Sequence, residues 1–365
     1  MAVYAHINTV PNGSTGGVMM KEHRDLLAAG EDSYAFWGRG RAAEDANEMR
    51  ISSDLEVEFD VLQTRLDGKA GFHSKAATKR LLAKLDEIKP EVVHLHNLHG
   101  YYVNVDMLFE WLATHDCKVE WTLHDCWAFT GHCAYFTYAK CDEWKTQCGD
   151  SCPQLGTYPA SFSKSSCAWS FEQKKHLFNT LPVERMKLVT PSKWLAGLVS
   201  ESFLSKYSVE VRHNTIDTSV FKPTPSDFRE HHGIGDRFMV LGVASPWNER
   251  KGFQDFLELA ANIDRARCAI VLVGLSERQI QQLPEGIIGI ARTDSPHDLA
   301  SIYTAADVFF NPTKEDNYPT VNLEAEACGT PVLTYDVGGC RETIAAKDSH
   351  CIDDWRFLLK VESDK

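Results

Sequence analysis

The stretch EDNYPTVNLEAEACGTPV, residues 315–332, combines two acidic residues, a proline and a helix-like run that ends in Gly-Thr-Pro. The apolar run FFNP before it is typical of the end of a buried strand. The loop between them is therefore expected at the carboxyl edge of a parallel sheet, where open α/β sheets bind ligands. Pro319 suits a helix start and Gly329 a helix end, which predicts a helix over residues 320–328.

The start of this predicted helix is suited to binding a phosphate. The free amides of Thr320 and Val321 would carry the positive end of the helix dipole towards a ligand. Asp316 precedes these amides, and Glu324 lies one turn into the helix. The two acids can therefore accept hydrogen bonds from hydroxyls on either side of a bound diphosphate, which is the layout of a nucleotide sugar. The alternative is that both acids only favour a helix N-terminus.

Strand-like and helix-like runs alternate along the whole chain. The alternation begins with VYAHINTV and VMMKEHRDLLAAG, and it restarts at FMVLGVAS, residues 238–245. Such alternation with short connections predicts α/β units with parallel sheets that helices cover on both faces. A chain of 365 residues is long enough for two units. We therefore predict two Rossmann-like domains, residues 1–215 and residues 216–365.

Composition and charge limit the classes of function. The apolar content of 43% and charged content of 24% are ordinary for a soluble globular protein. No apolar run approaches the roughly 20 residues that cross a bilayer, and the first residues do not resemble a signal peptide. The net charge of −13 argues against a general nucleic-acid binder. We therefore predict a cytoplasmic protein with no nucleic-acid partner.

The stretch 315–332 resembles the signature of glycosyltransferase family 4, whose members are retaining enzymes of the GT-B fold. That signature has an acid, seven residues, Glu-Ala, then Gly-x-Pro-Val and Gly-Gly-x-x-Glu. The matching residues are Asp316, Glu324, Ala325, Gly329 to Val332, Gly338, Gly339 and Glu342. The motifs TGGVMM, HLHN, TLHD, TPSKWL and ERKG follow the family's order. The resemblance implies two Rossmann-like domains whose parallel sheets face each other across a crevice, as in bacterial enzymes of polysaccharide assembly.

The resemblance also implies catalytic roles for three residues and a set of donor contacts. His124 matches a histidine near the anomeric carbon, Lys251 a lysine that neutralises the departing diphosphate, and Asp316 the acid that holds the sugar hydroxyls. Glu324 matches the ribose-binding glutamate. The other implied donor contacts are Gly16 and Gly17 in a loop after the first strand, Arg250, Lys251, Thr293 near the base, Thr320 and Val321. His94, His96 and His99 are assigned no role.

The sequence departs from the family pattern at four places, one of which is Thr215 after Asn214, where glycine is usual. Asp316 stands where the family usually has Glu, so Glu315 is an alternative. Val243 stands where an arginine is usual, and Arg250 is expected to substitute for it. The chain ends soon after Gly339, so the second domain is expected either to be short or to be truncated at its C-terminus.

The expected chemistry is sugar transfer from a nucleotide sugar. A departing diphosphate gains negative charge, which Arg250, Lys251 and the helix start at Thr320 can stabilise. The chain has no Asp-x-Asp pair, so we predict a metal-independent reaction, and the resemblance implies retention. The predicted donor is a UDP- or GDP-sugar, and the predicted acceptor is a glycan or a lipid-linked acceptor. The alternatives are an epimerase or hydrolase of the same fold and a non-catalytic binding protein.

A cysteine-rich insertion follows His124. Five of the 11 cysteines lie within residues 126–152. In a cytosolic protein such crowding favours a metal over disulfides. We therefore predict a structural zinc ion, while reduced thiols and disulfides stay open as alternatives. The predicted ligands are Cys133, Cys141, Cys148 and Cys152.

A basic stripe suggests a membrane contact. The segment KAATKRLLAKLDEIKP predicts a helix with Leu81, Leu82, Leu85 and Ile88 on its buried face. Its outer face carries Lys75, Lys79, Arg80 and Lys84. Each basic residue near an anionic surface contributes about 1 kcal/mol, so weak peripheral binding at the inner face of the plasma membrane is predicted. The alternative is a solvated helix face.

Overall fold

The computed structural model of the chain describes residues 1–149, 152–163 and 166–363, with side chains of the last helix described to residue 360. The chain divides into two compact units, Met1–Arg212 and His213–Lys365. The sequence placed this boundary between residues 215 and 216. Residues 150 and 151 of the predicted cysteine-rich insertion lie outside the described residues.

The first unit contains a seven-stranded parallel sheet with the strand order β3-β2-β1-β4-β5-β6-β7. The strands are β1 Val3–Asn8, β2 Asp32–Trp37, β3 Glu48–Arg50, β4 Val92–Leu95, β5 Lys118–Thr122, β6 Met186–Thr190 and β7 Ser208–Val211. The helices are α1 Gly13–Ala28, α2 Asp54–Asp67, α3 Lys75–Ile88, α4 Val105–Thr114, α5 Ser166–Leu177 and α6 Lys193–Glu201. Short 3₁₀ helices cover Trp127–Phe129 and Glu143–Lys145.

The second unit contains a six-stranded parallel sheet with the order β10-β9-β8-β11-β12-β13. The strands are β8 Phe238–Val243, β9 Cys268–Val273, β10 Ile287–Ile290, β11 Val308–Asn311, β12 Val332–Tyr335 and β13 His350–Ile352. The helices are α7 Phe228–His231, α8 Phe253–Asn262, α9 Glu277–Gln281, α10 Pro296–Ala305, α11 Thr320–Ala327 and α12 Phe357–Ser363. A 3₁₀ helix covers Cys340–Thr343. Two parallel α/β sheets are the predicted fold class, which is confirmed.

The central strands of the second sheet are apolar on both faces. Val240 and Ile270 belong to one buried cluster, whereas Met239 and Val271, their neighbours along the same strands, belong to another. Successive side chains of a strand point to opposite faces, so each cluster covers one face of the sheet. The continuous apolar runs in the sequence follow from this double burial.

The loop after β1 is shorter than predicted, and the assignment of Gly16 and Gly17 to it is wrong. Both glycines lie in the first turns of α1, which begins at Gly13 with a left-handed φ of 71°. A Cβ atom on Gly16 would lie 2.5 Å from the carbonyl carbon of Pro11 and 2.7 Å from the oxygen of Val10. Gly16 therefore lets the helix pack against the chain that enters it, while Gly17 has open space.

The predicted basic helix is α3, and half of its basic stripe is paired. Leu81 and Leu85 are fully buried, as predicted. Arg80 forms an ion pair of 2.6 Å with Glu56, whose pKa this hydrogen bond lowers to about 2. Lys84 pairs with Glu87 at 2.6 Å. Among the residues that the structure describes, no helix combines the length and the apolarity needed to cross a bilayer.

Candidate functional site

Three of the predicted site residues meet at the carboxyl edge of the second sheet. The loop after β8 carries Arg250 and Lys251, and the loop after β11 carries Asp316. The Nζ atom of Lys251 lies 2.6 Å from Oδ2 of Asp316, and Nη1 of Arg250 lies 3.8 Å from the same oxygen. A carboxylate with two cations therefore marks the adjacent ends of two parallel strands, where α/β sheets place ligand sites.

Backbone contacts hold the two loops together. Nη1 of Arg250 donates to the carbonyl oxygen of Glu315 at 2.6 Å, and the amide of Lys314 donates to the carbonyl of Arg250 at 2.7 Å. Gly252 has a φ of 73°, and a Cβ atom there would lie 2.2 Å from the carbonyl oxygen of Pro312. A side chain at position 252 would push the loops apart, so glycine fixes the distance between Lys251 and Asp316.

The Gly-Gly motif after β12 packs against the backbone of Asp316. Gly338 has a φ of 57°, and a Cβ atom on it would lie 2.0 Å from the carbonyl oxygen of Asp316. The amide of Gly339 donates to that oxygen at 3.0 Å. The motif therefore holds the backbone of Asp316 by close approach, which only glycine permits at this φ.

Asp316 is a buried carboxylate that stays ionised. Burial raises its pKa, but the charges of Lys251 and Arg250 and the hydrogen bond from Lys251 outweigh burial, so the pKa lies below its ordinary value. Glu315, the alternative acid, is fully buried, and its backbone oxygen receives Arg250. The geometry therefore selects Asp316 as the acid that meets the two cations.

Helix α11 begins where the sequence predicts, at Thr320. The residue before it is Pro319, whose side chain has no acceptor and cannot cap the first amides, so Thr320 and Val321 present the helix N-terminus. Gly329 follows the helix with a φ of 86°, as a C-terminal glycine should.

Glu324 lies half-buried on the second turn of α11. The hydroxyl of Tyr303 donates to Oε2 of Glu324 at 3.2 Å. Burial raises the pKa of Glu324 to about 6, against the opposing hydrogen bonds from Tyr303 and Thr320. This carboxylate therefore titrates near neutral pH, unlike Asp316. Thr293 lies in the loop after β10, half-buried at the same edge of the sheet.

His124 lies in the first unit, just after β5. It is 9% exposed, and its Nε2 atom lies 3.0 Å from Nδ1 of His96, with the two rings stacked. Burial lowers the pKa of His124 to about 4, despite the opposing charge of Asp125. His99 pairs with Asp125 at 2.7 Å. His96 and His99, to which the sequence assigned no role, are thus direct neighbours of the TLHD motif.

The predicted zinc ligands lie around Cys152. The pKa of Cys152 is lowered by hydrogen bonds from Cys133 and Cys167, and that of Cys133 is raised by the same contact. Cys148 accepts from the amide of Gly131 at 3.2 Å, and all 11 cysteines are free thiols. Cys167, which lies outside the predicted window, is therefore a fifth thiol in this group.

A buried lysine accompanies these thiols. Nζ of Lys174 donates to the carbonyl of Trp127 at 2.7 Å and lies 4.0 Å from the centre of the Trp127 ring. Burial lowers the pKa of Lys174 to about 7, although the thiols of Cys148 and Cys133 act to raise it. A cationic lysine at this position favours thiolates, which are the form that binds metal.

Comparison with known proteins gives the family context of this geometry. Residues 237–358 match the family described as glycosyl transferases group 1. Over 371 aligned residues the chain is 22% identical to the putative colanic acid biosynthesis glycosyl transferase WcaC of Escherichia coli (strain K12). The alignment covers 97% of this chain and 87% of that protein.

Solved structures share the fold at low identity. Sucrose-phosphate synthase from Thermosynechococcus elongatus superposes with a TM-score of 0.73 and 15% identity, over 100% of this chain and 89% of that chain. Anabaena Alr3699/HepE in complex with UDP-glucose superposes with a TM-score of 0.63 and 12% identity, with the same coverage. These likenesses confirm the predicted GT-B fold.

Proposed function

We propose that this chain, a group 1 glycosyltransferase of the GT-B fold, transfers its sugar with retention and without a catalytic metal. The donor is a nucleoside-diphosphate sugar, and the acceptor is a glycan or a lipid-linked acceptor in cell-surface polysaccharide synthesis. The observation that carries the proposal is the contact of Lys251 and Arg250 with Asp316 at the edge of the second sheet.

The cations of this site suit a departing diphosphate. Breaking the bond to the sugar leaves negative charge on the diphosphate, and preorganised positive groups lower that barrier most effectively. An ammonium group has three donor hydrogens, so Lys251 can keep its bond to Asp316 and still donate to phosphate oxygens. The uncapped amides of α11 add further donors. These fixed groups stabilise the departing diphosphate, which a bridging metal ion does in metal-dependent enzymes.

The two carboxylates accept hydrogen bonds from different hydroxyls of the donor. Asp316, whose lowered pKa keeps it ionised at physiological pH, accepts from the hydroxyls of the sugar, and Glu324 accepts from those of the ribose. His124 is neutral at physiological pH because of its lowered pKa. It therefore contributes a hydrogen bond near the anomeric carbon, not a positive charge.

Product analysis tests the proposal. The chain is incubated with a panel of UDP- and GDP-sugars and with glycan and lipid-linked acceptors, starting from UDP-glucose because of the HepE complex. We expect transfer from one donor, a product with the anomeric configuration of the donor by NMR, and undiminished activity in EDTA. Inversion would contradict retention. Loss of activity in EDTA at an unchanged unfolding midpoint would contradict metal independence, because removal of a structural metal would also lower that midpoint. Donor hydrolysis or epimerisation without transfer, or binding without turnover, would favour the alternatives.

Glu324 should make donor affinity depend on pH. Its pKa of about 6 means that below pH 6 the carboxyl group of Glu324 is mostly protonated and must lose that proton before it accepts hydrogen bonds from both ribose hydroxyls as a carboxylate. We expect the affinity for the nucleotide sugar to fall about tenfold between pH 7.5 and pH 5, since one pH unit below a pKa leaves roughly a tenth of the group ionised. Calorimetric titration measures this. The Glu324→Gln variant should bind weakly but without the slope, and an unchanged slope in that variant would assign it to another group.

The membrane contact and the cysteine-bound zinc stay predictions. Helix α2 adds to the first of them, because Leu55, Phe59, Leu62 and Leu66 form an exposed apolar row along it. Residues of α2 and α3 line one cavity of about 630 Å³, so this row lies close to the basic helix. Co-sedimentation with anionic vesicles at low and high salt would measure the contact, since binding to such surfaces through basic residues is salt-sensitive.

A further inference from the structure

Three histidines and a glutamate converge on one face of the first sheet. His6 of β1 is the register partner of His94 of β4. His96, two residues beyond His94, projects to the same face because side chains alternate along an extended chain. Helix α1 covers this face and carries Glu22. Sequence positions 6, 22, 94 and 96 thus meet through strand register and helix packing.

The separation of the ligand atoms suits a metal ion. One ring nitrogen of each histidine and one carboxylate oxygen of Glu22 all lie within 4.8 Å of one another. Oε2 of Glu22 is 3.0 Å from Nδ1 of His94 and 3.7 Å from Nε2 of His96. Four ligand atoms placed tetrahedrally at zinc distances would lie about 3.3 Å apart. The cluster is therefore close to the size of such a site.

Several of these buried atoms lack a hydrogen-bond partner among the described residues. They are both ring nitrogens of His6 and Nε2 of His96. His6 and His96 are each 1% exposed. Buried polar atoms are nearly always paired, and a neutral imidazole has one nitrogen that accepts, so a bound cation would give the unpaired acceptor nitrogens of His6 and His96 a partner.

The outer ring nitrogens are held as metal-binding histidines usually are. Nε2 of His94 lies 2.8 Å from the hydroxyl of Thr122, and Nδ1 of His96 lies 3.0 Å from Nε2 of His124. These contacts fix the ring orientations and leave Nδ1 of His94 and Nε2 of His96 facing Glu22. Outer hydrogen bonds of this kind orient the ligands of metal sites.

The charge state of the cluster also suits a cation. The charged groups facing the cluster include Glu120, 3.9 Å from Nε2 of His94, and Arg212, 3.7 Å from Oε1 of Glu22. Glu120 is paired with Lys187 at 2.8 Å and with Arg212 at 2.6 Å, so the negative charge available to a cation comes mainly from Glu22.

We infer that His6, Glu22, His94 and His96 bind one divalent transition-metal ion, with zinc the best match to three imidazoles and a carboxylate. Four protein ligands in a buried position make the site structural. It ties α1 to β1 and β4, shares no ligand with the cysteine group, and contacts His124 through His96.

Metal titration of the full chain tests the inference. Protein stripped with a chelator is titrated with Co²⁺ and with Zn²⁺, and bound metal is counted by elemental analysis after dialysis. The Co²⁺ spectrum separates the two metal predictions, because thiolate ligands give an intense near-ultraviolet charge-transfer band and imidazole and carboxylate ligands do not. We expect visible Co²⁺ bands from a site without thiolates, at one ion per chain in addition to any ion that the cysteine group binds.

Variants locate the ion. His6→Gln should weaken metal affinity at least 100-fold, and Thr122→Val, which removes only an outer partner, about 10- to 100-fold. The matched control is His23→Gln, since His23 is also a buried histidine on this face but is bonded to Ser33 at 2.8 Å. It should bind metal as the unaltered chain does.

Thermal unfolding gives a readout that does not require a folded His6 variant. Metal that binds only the folded chain raises the unfolding midpoint by roughly 5–10 °C at 100 times Kd, and Thr122→Val should need more metal for the same rise. Absence of any metal-dependent rise in the unaltered chain, equal affinities for His6→Gln and His23→Gln, or a Co²⁺ spectrum with thiolate bands alone would each overturn the inference.

Discussion

Replacing Lys251 with alanine is expected to lower kcat about 10²- to 10³-fold, the loss typical when one preorganised donor to a developing negative charge is removed. Lys251 is the cation closest to Asp316, at 2.6 Å, whereas Arg250 is 3.8 Å away and is already bonded to the backbone of Glu315. Arg250 therefore stays farther from Asp316 and does not make the short contact that Lys251 makes. Steady-state kinetics with the donor found by product analysis measures the effect.

A second lysine of the same loops provides the control. Lys314 also pairs with a buried carboxylate, that of Asp255 at 2.7 Å, but it does not belong to the Asp316 group. Lys314→Ala should therefore stay within about tenfold of the unaltered rate, since it removes an ion pair away from the diphosphate. Equal losses in the two variants would show that Lys251 acts through the stability of the loops and not through the leaving group.

Stability must be measured beside activity, because Lys251→Ala leaves Asp316 with one distant cation. Removing one partner of a buried ion pair costs about 3–5 kcal/mol when the other charge stays ionised. The pKa of Asp316, now held below its ordinary value, should rise in the variant, which offsets part of this cost. The expected signature is a lower unfolding midpoint together with a kcat loss that persists at temperatures where the variant is fully folded.

Patterns within short stretches predicted the fold well. The apolar runs of β8 and β9 and the helix that begins at Thr320 follow from periodicity and from the positions of Pro319 and Gly329. The error at Gly16 and Gly17 has a physical origin. Glycine suits both a loop and a helix that packs closely on another backbone, and only the packing against Pro11 distinguishes them.

Contacts between distant parts of the chain limited the prediction of the sites. The sequence motifs identified Lys251 and Asp316 separately. Their ion pair joins loops 65 residues apart, and it forms because β8 and β11 are neighbours in the sheet. Nothing in HLHN alone distinguishes structural histidines from ligands. The pairing of His94 with His6 requires the register of β1 and β4, which the sequence does not state.

Replacing Gly338 with alanine is expected to lower the free energy of unfolding of the second unit by about 3 kcal/mol. A non-glycine residue in the left-handed region costs about 1–2 kcal/mol, and the loss of the 3.0 Å bond from Gly339 to Asp316 costs roughly 1 kcal/mol more. The new Cβ atom would lie 2.0 Å from the carbonyl oxygen of Asp316, so the loop must also move. Because that movement displaces the carboxylate from Lys251, donor affinity should fall at least about tenfold, which corresponds to one charge-assisted hydrogen bond.

Gly329→Ala separates this close approach from backbone strain. Gly329 also has a positive φ, 86°, but the nearest atom to a Cβ there is Cγ of Pro223 at 3.7 Å, an ordinary contact. This control should lose only the roughly 1–2 kcal/mol of left-handed strain and keep its donor affinity. Thermal unfolding should therefore give a drop of roughly 6–12 °C for Gly338→Ala and a smaller drop for Gly329→Ala. If both variants bound the donor equally well, the Gly-Gly motif would serve the stability of the loop alone, and the position of Asp316 would have to be set by its ion pair with Lys251.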